Sequence, residues 1–233
     1  VYLAYDITLQ RTCAVKENLA SEAAAQVQFE QEALILARLH HPNLPRVIDH
    51  FVIKDQGQYL VMDYVEGKNL AEIMRAQGHP FAQGDAIPIV LEVCAALQFL
   101  HGQQPPIIHR DIKPQNIIVT PSGRVMLVDF GLSKVLAQDV ATVPGARGMT
   151  PGYSAPEQYG LAPTEPASDV YALGATLYTM LTGQRPPDAL RRLTEDLPVP
   201  PVHDFNATVT PQVERSVMAA LEPSVTPRLP TVE

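Results

Sequence analysis

A cluster of polar side chains lies between two short apolar runs near the middle of the chain, in IIHRDIKPQNIIV at residues 107–119. The runs Ile107–Ile108 and Ile117–Val119 are β-branched and too short for helices, so they predict two brief buried strands joined by a loop. Pro114 stiffens the loop because its ring fixes φ, and loops anchored by strands hold chemical groups in place. The groups here are a carboxylate, an ammonium and a carboxamide, which can accept a proton, offset negative charge and ligate a cation. They belong to Asp111, Lys113 and Asn116.

An ordinary surface turn is the alternative explanation of this loop. Turns favour Gly, Asn, Asp and Ser, whereas an Asp followed by Lys two residues later and by Asn five residues later is a poor turn signal. The pattern therefore favours a functional site.

The composition of the chain excludes some classes of protein. With 233 residues and 46% hydrophobic content, one large domain or two small lobes can bury a core. The net charge of −8 argues against a polyanion partner, and the longest basic run is the pair Arg191–Arg192. We therefore expect no binding to nucleic acid.

The cysteines and the apolar segments bear on where the protein works. Cys13 and Cys94 each lie inside an apolar segment, which is typical of reduced thiols that pack in a core rather than of a disulfide framework. No uninterrupted apolar stretch approaches the roughly 18 residues of a membrane-spanning helix, and no signal peptide opens the chain. We expect a cytoplasmic domain without a membrane span, whose parent protein could still carry an anchor.

Residue periodicity predicts a small sheet with one helix, followed by a mostly helical half. Strands are predicted within residues 1–19, 46–54 and 56–65, where small and β-branched residues alternate with polar ones. Helices are predicted at residues 21–40, 66–78, 84–101 and from Asp169 onward. The helix from Asp169 is apolar on nearly every side, which indicates burial, and prolines after Pro186 predict short helices joined by loops. The change of pattern places a boundary near Tyr64–Lys68.

Two further motifs accompany the polar loop. In VMLVDFGLSK an apolar strand ends in Asp129, which Phe-Gly follows, and TPGYSAPEQY contains an Ala-Pro-Glu triplet at residues 155–157. With these motifs nearly the whole sequence resembles the protein kinase family, in particular serine/threonine kinases of the kind that bacteria share with eukaryotes.

The resemblance implies a fold and an activity. The fold is α+β and two-lobed: a small antiparallel-sheet N-lobe with one long helix, residues 1–64, precedes a larger, mainly helical C-lobe, residues 65–233. The implied activity is transfer of the γ-phosphoryl group of ATP, with Mg²⁺, to Ser and Thr hydroxyls of protein substrates. Self-association for autophosphorylation is a further possibility that the resemblance raises.

By the same resemblance, each polar residue of the loop has one role in a reaction that depends mainly on positioning and charge neutralisation. Asp111 orients the substrate hydroxyl and accepts its proton, Lys113 offsets charge on the γ-phosphate, and Asn116 holds a magnesium ion. Asp129 supplies a second oxygen ligand of the type that magnesium prefers. Lys16, in the stretch CAVK, binds the α- and β-phosphates.

The nucleotide is expected to contact residues from both parts of the chain. Met62 falls behind the adenine, and Asp63 to Val65 form the interlobe hinge whose backbone would hydrogen-bond the base. Ala14 and Ile118 would sandwich its two faces. The complete set expected around the nucleotide is Val1, Ala14, Lys16, Glu32, Met62, Asp63, Val65, Asn69, Ile118 and Asp129.

The glutamate that pairs with Lys16 can be chosen from the helical pattern. At about 100° per residue, Glu32 projects onto the apolar face beside Leu36 and Leu39, whereas Glu30 points away from it. The resemblance implies that Lys16 pairs with a glutamate of this helix. For an isolated helix a solvated surface glutamate is the alternative, but the family's register together with the apolar neighbours favours Glu32 as the partner.

Two features depart from the family's pattern. The family's Gly-rich loop should end just before Val1 and its last helix should continue past Glu233, so we expect either a piece of a longer protein or a domain that lacks the loop. Met149–Thr150 also stands where the family usually has Gly-Thr.

Three other interpretations remain open. A pseudokinase scaffold would bind nucleotide or partners without chemistry, but such proteins commonly lose one of the Lys, Asp or Asn positions, which are all present here. A small-molecule phosphotransferase could share the Asp and Asn of the loop, but it would lack the Ala-Pro-Glu triplet and Asp169. The third is a truncated product that folds poorly.

The resemblance also predicts two long-range relationships. Glu157 and Arg228 match a buried ion pair of the family, the alternative being two solvated charges. Arg110 places a guanidinium near the segment between Asp129 and Glu157, and we hypothesise that phosphorylation of Thr142 orders that segment through Arg110.

Overall fold

A four-stranded antiparallel sheet and one helix form the first lobe of the structure, a computed structural model that describes residues 1–19, 23–54, 56–129, 149–160 and 162–232. The strands follow the order β1-β2-β4-β3 in the sheet. Their bounds are β1 Tyr2–Asp6, β2 Arg11–Asn18, β3 Val47–Ile53 and β4 Gly57–Asp63. The predicted strand pattern of this lobe is therefore confirmed.

Local side-chain contacts explain the first hairpin and the position of the helix. The carboxylate of Asp6 accepts the backbone N–H groups of Thr8 and Leu9 at 2.9 Å each, which closes the turn between β1 and β2. Helix α1, Ala23–Leu36, packs on β3 and β4 and buries an apolar stripe. The stripe consists of Phe29, Ala33 and Leu36.

The second lobe is mainly helical and carries a small three-stranded sheet. Its helices are α2 Leu70–Gln77, α3 Gln83–His101, α4 Pro166–Thr182, α5 Ala189–Glu195 and α6 Pro211–Ala220. Its strands are β5 Lys68–Asn69, β6 Ile117–Val119 and β7 Val125–Leu127, paired in that order. The α+β, two-lobed architecture is thus as expected, while the exact boundary between the lobes stays a prediction.

Helix α4 is the centre of the second lobe. Every residue from Ala167 to Thr182 is buried, as its apolar composition predicts. Its three buried threonines remain satisfied because each hydroxyl donates to the carbonyl four residues earlier, at 2.7–2.9 Å. Gly174 is needed for packing, since a Cβ atom there would lie 2.6 Å from the Cβ of Ala220 in α6.

One predicted strand is wrong. Ile107–Ile108 has no regular secondary structure, whereas Ile117–Val119 is a strand as expected. The reason is that the backbone after Ile107–Ile108 bonds to a buried carboxylate instead of to a neighbouring strand, as described below.

Helix α3 is long and apolar enough, among the described residues, to match a membrane-crossing helix by length and composition. Asp85 and Glu92 are its only acidic residues, and it has no Lys or Arg. Interior helices of globular proteins meet the same criteria, and α3 packs against α4 and β7 with Val93, Leu97 and Leu100 fully buried.

Candidate active site

A buried carboxylate holds the start of the Asp111 loop, which we define as residues 109–116. Asp169, in the first turn of α4, is fully buried. Its two oxygens accept the backbone N–H groups of His109 and Arg110 at 2.8 Å each, and His101 Nε2 lies 2.9 Å from Oδ2. These contacts attach the loop to the central helix, and they hold Arg110 at a positive φ of 65°.

The three polar residues predicted in the loop converge on one carboxylate. Asn116 Nδ2 donates to the backbone oxygen of Asp111 at 2.8 Å and to its Oδ2 at 2.9 Å. Lys113 Nζ lies 2.8 Å from the same Oδ2. The other oxygen, Oδ1, accepts the hydroxyl of Thr150 at 3.3 Å, and Lys113 Nζ is also 3.3 Å from that hydroxyl. A carboxylate held this way by neighbours, with one oxygen facing a hydroxyl, has the geometry of a general base.

A second carboxylate lies at the cleft between the lobes. Asp129 follows β7 with a positive φ of 62°. It lines a small cavity together with Lys16 of β2, and the remaining lining is mostly apolar: Leu36, Pro45, Val47, Leu60 and Met62. The structure thus brings Lys16, Met62 and Asp129 to one site, as predicted. A shallow groove of about 460 Å³ between Phe81 and Phe205 contains none of these residues.

The donor set near this cavity suits magnesium. The backbone N–H of Val128 donates to the backbone oxygen of Asn116 at 2.9 Å, which keeps Asp129 next to the Asp111 loop. Asn116 directs its amide hydrogens to Asp111, so its amide oxygen is the atom that could ligate a metal. A carboxylate with a carboxamide oxygen is the hard, oxygen-only type of site that Mg²⁺ takes, with waters completing the shell.

Three other residues predicted around the nucleotide lie in paired strands of the two sheets. Ala14 pairs with Met62 between β2 and β4, and Ile118 pairs with Asn69 between β6 and β5. Asn69 also caps helix α2, because its side-chain oxygen accepts the backbone N–H of Glu72 at 2.9 Å.

Three predicted contacts lie at the edges of the site. The carboxylate of Asp63 lies 3.6 Å from both Arg11 and Arg46, so its side chain pairs with two arginines of the first lobe. Val65 is half-buried and Val1 is exposed. Their contacts to a nucleotide stay predictions.

Two predictions fall outside the described part of the chain. The side chain of Glu32 is not among the described residues, so its pairing with Lys16 stays a prediction. Thr142 also lies outside them, and Arg110, its expected contact, is only 5% exposed.

The predicted ion pair between Glu157 and Arg228 is present and buried. Arg228 Nη1 lies 2.7 Å from Glu157 Oε1, and the side chains are 0% and 3% exposed, respectively. Ser168 donates to the same oxygen at 2.7 Å, and Arg228 also donates to the carbonyls of Ala167, Pro223 and Glu222. The alternative of two solvated charges is therefore wrong.

A family model described as the protein kinase domain matches residues 1–198. The chain belongs to the protein kinase family.

Curated relatives are bacterial serine/threonine kinases. The serine/threonine-protein kinase PknB of Mycolicibacterium smegmatis is 37% identical over 236 residues, which cover 95% of the chain and 37% of PknB. The probable serine/threonine-protein kinase PknB of Lactococcus lactis is 34% identical over 226 residues, covering 94% of the chain and 35% of that relative. The chain thus spans about a third of the length of these relatives.

Solved kinase structures share the fold. The apo form of PpkA-294 has a TM-score of 0.81 and 28% identity, and the match covers 99% of the chain and 88% of PpkA-294. The kinase domain of PknI from Mycobacterium tuberculosis has a TM-score of 0.77 and 27% identity, covering 99% and 85%. These likenesses confirm the two-lobed kinase fold.

Sequence reasoning missed a side chain that links the Asp111 loop of this kinase domain to the Ala-Pro-Glu triplet. Gln158 Nε2 donates to the backbone oxygen of Arg110 at 2.8 Å, while its Oε1 accepts the N–H of Ala155 at 2.9 Å. The next residue, Tyr159, donates its hydroxyl to Asp188, which caps α5. In the described part of the chain the Gln158 side chain bonds only to backbone groups, so there is no partner residue type to search for in the sequence.

Replacing Gln158 with leucine is expected to lower kcat by about 10- to 100-fold with little change in KM for ATP. The change leaves the carbonyl of Arg110 without its donor, directly beside Asp111. Steady-state kinetics would measure the effect, with Gln98→Leu, on the exposed face of α3, as the control. An unchanged kcat in Gln158→Leu would show that the loop does not depend on this contact.

His41 lies partly buried at the junction of the lobes. Its Nδ1 accepts the N–H of Asn43 at 3.2 Å, its ring stacks on Phe99 at 5.2 Å, and burial lowers its pKa. Below pH 6.5 or so, the unfolded chain therefore takes up a proton at this position before the folded chain does, and stability falls as the pH falls.

The variant His41→Gln is expected to lose less Tm than the parent when the pH is lowered from about 7 to about 5. The exposed neighbour His40 supplies the matched control, His40→Gln. Parallel Tm curves for the parent and His41→Gln would contradict the assignment.

Proposed function

We propose that this kinase domain transfers the γ-phosphoryl group of ATP to serine and threonine hydroxyls of protein substrates. The observation that carries the proposal is the convergence of Lys113, Asn116 and Thr150 on the carboxylate of Asp111. The Thr150 hydroxyl, 3.3 Å from Asp111 Oδ1, marks where another hydroxyl could approach. The serine/threonine kinase relatives support the same activity.

Each residue of the site has a separate role in this reaction. The acceptor oxygen forms a bond to the γ-phosphorus while the bond to ADP breaks, and Asp111 takes the hydroxyl proton. Lys113, next to both Asp111 and Thr150, can offset the charge of the transferred group. Lys16 lines the same cleft cavity as Asp129, where it can hold the other phosphates. Magnesium bound by Asn116 and Asp129 would supply further charge neutralisation.

A radiolabelled ATP assay tests the proposal. The full-length protein is incubated with γ-labelled ATP, Mg²⁺ and a generic basic protein, and the labelled amino acids are identified after hydrolysis. Labelled phosphoserine or phosphothreonine is expected, with Lys16→Met as the inactive control. Nucleotide binding without any transfer would instead support a pseudokinase scaffold, and label on a small molecule alone would support a small-molecule phosphotransferase.

A further inference from the structure

An exposed arginine stands beside the Thr150 segment, which we define as residues 149–154. Arg185 Nη1 lies 3.5 Å from the backbone oxygen of Pro151, and its guanidinium carbon lies 5.6 Å from the centre of the Tyr153 ring. The side chain is exposed. Within the part of the chain that the structure describes, no carboxylate forms an ion pair with it. Arg185 therefore presents a cation to solvent next to the candidate substrate site.

Gly152 leaves the space in which this arginine packs. Its φ is +86°, and a Cβ atom there would lie 2.6 Å from Cγ and 2.7 Å from Cδ of Arg185. The missing side chain lets the aliphatic part of Arg185 lie directly on the Thr150 segment, while the guanidinium rests against the Tyr153 ring. Binding an anion here would consequently cost little side-chain entropy.

The arginine is close enough to Asp111 to contact a bound substrate. Thr150 Oγ1 lies 3.3 Å from Asp111 Oδ1, and Pro151, which Arg185 approaches, is the next residue of the chain. Successive Cα atoms are about 3.8 Å apart, and an extended peptide advances about 3.3–3.6 Å per residue. A peptide with its hydroxyl at Asp111 would thus pass the guanidinium within roughly two to four residues of the acceptor.

Three other cations of this lobe differ from Arg185 in having carboxylate partners. Lys113 pairs with Asp111 at 2.8 Å, Arg191 pairs with Glu195 at 2.8 Å, and Arg228 is buried against Glu157. A guanidinium without such a partner offers several N–H donors in the fork geometry that suits carboxylate and phosphate oxygens.

We propose that Arg185 is a specificity-determining residue, which selects substrates that carry a carboxylate or phosphate group within four residues of the acceptor hydroxyl. This inference rests on the proposed kinase function. It names the substrate class of the same site: Ser/Thr segments with an acidic or already phosphorylated flank.

Peptide kinetics on the full-length protein test this preference. One threonine peptide has only alanine and glycine around the acceptor, and a series adds a single glutamate, phosphoserine or lysine at each of the four positions on either side. We expect kcat/KM to rise about three- to five-fold for the best glutamate position. The gain should shrink as KCl is raised, since salt screens an exposed charge. Comparing glutamate with phosphoserine distinguishes the two anions.

Variants of Arg185 separate charge from packing. Arg185→Met keeps the aliphatic contact with Gly152 and should remove the preference for glutamate, whereas Arg185→Glu should reverse it in favour of lysine. The matched control is Arg191→Ala, which removes an exposed arginine that already has a carboxylate partner. It should keep the preference.

The outcomes distinguish this inference from the proposed function. Equal kcat/KM for the neutral and acidic peptides, or a preference that survives in Arg185→Met, would overturn the role of Arg185 while leaving the kinase activity established. Failure to phosphorylate any peptide or protein would overturn the proposed function itself.

Discussion

Replacing Asp111 with asparagine is expected to lower the rate of phosphoryl transfer by about 10²- to 10⁴-fold, the usual contribution of a general base. The amide cannot take the proton of the acceptor hydroxyl. It also weakens the ion pair with Lys113, which lies 2.8 Å from Oδ2 in the parent. Nucleotide affinity should change little, because this carboxylate faces Thr150 rather than the cleft cavity.

Asp129→Asn supplies the contrasting variant. Asp129 lines the cavity with Lys16, so its loss should weaken the binding of magnesium and nucleotide together. Titration with a fluorescent nucleotide, with and without Mg²⁺, would measure Kd, and single-turnover assays would measure the chemical step. An Asp111→Asn protein that kept most of the parent's turnover would show that another group accepts the proton.

Glu157→Gln is expected to reduce the free energy of unfolding by about 3 to 5 kcal/mol, because it leaves the charge of Arg228 buried without its partner. The side chain of Arg228 is 0% exposed. For a domain of this size such a loss corresponds to a fall in Tm of roughly 6 to 20 °C. Thermal unfolding followed by circular dichroism would measure it.

Two comparisons make this result specific to the buried pair. Arg228→Met in the Glu157→Gln background removes the stranded charge, so it should recover part of the lost stability. Glu195→Gln breaks the exposed pair with Arg191, and it should leave Tm unchanged. A Tm for Glu157→Gln equal to that of the parent would contradict the assigned role of the pair.

The parts of the site that sequence could predict are those whose residues lie close together along the chain. Asp111, Lys113 and Asn116 fall within six residues, so their spacing alone indicates that they share one loop. Asp129 ends an apolar strand, and its direction follows from that strand. The sheet of the first lobe was predictable for a similar reason, since alternation over five to eight residues per strand is a local signal.

The contacts that sequence could not predict join distant segments through backbone groups. Asp169 accepts the N–H groups of residues 59 and 60 positions earlier, and Gln158 donates to a carbonyl 48 positions earlier. Nearly every residue has a backbone N–H and a carbonyl group, so the residue types do not indicate which backbone group a side chain will bond. The error at Ile107–Ile108 has the same origin: β-branched propensity predicts a strand, but the carboxylate of Asp169 takes the backbone hydrogen bonds next to it.

Asn43 fastens a loop of the first lobe to the second. Its side chain donates to Glu92 of α3 at 2.8 Å and to the carbonyl of Val125 at 2.7 Å, and its own carbonyl accepts the N–H of Leu127 at 2.8 Å. With the hinge predicted at Asp63 to Val65, this loop provides a second point of attachment, and two such points would define an axis about which the sheet could rotate. In such a rotation Lys16, on β2, would move with the sheet, while Asp129 would stay with the second lobe. Rotation would open the cleft for nucleotide exchange and leave the geometry around Asp111 unchanged, so product could depart without the base having to reassemble before the next cycle.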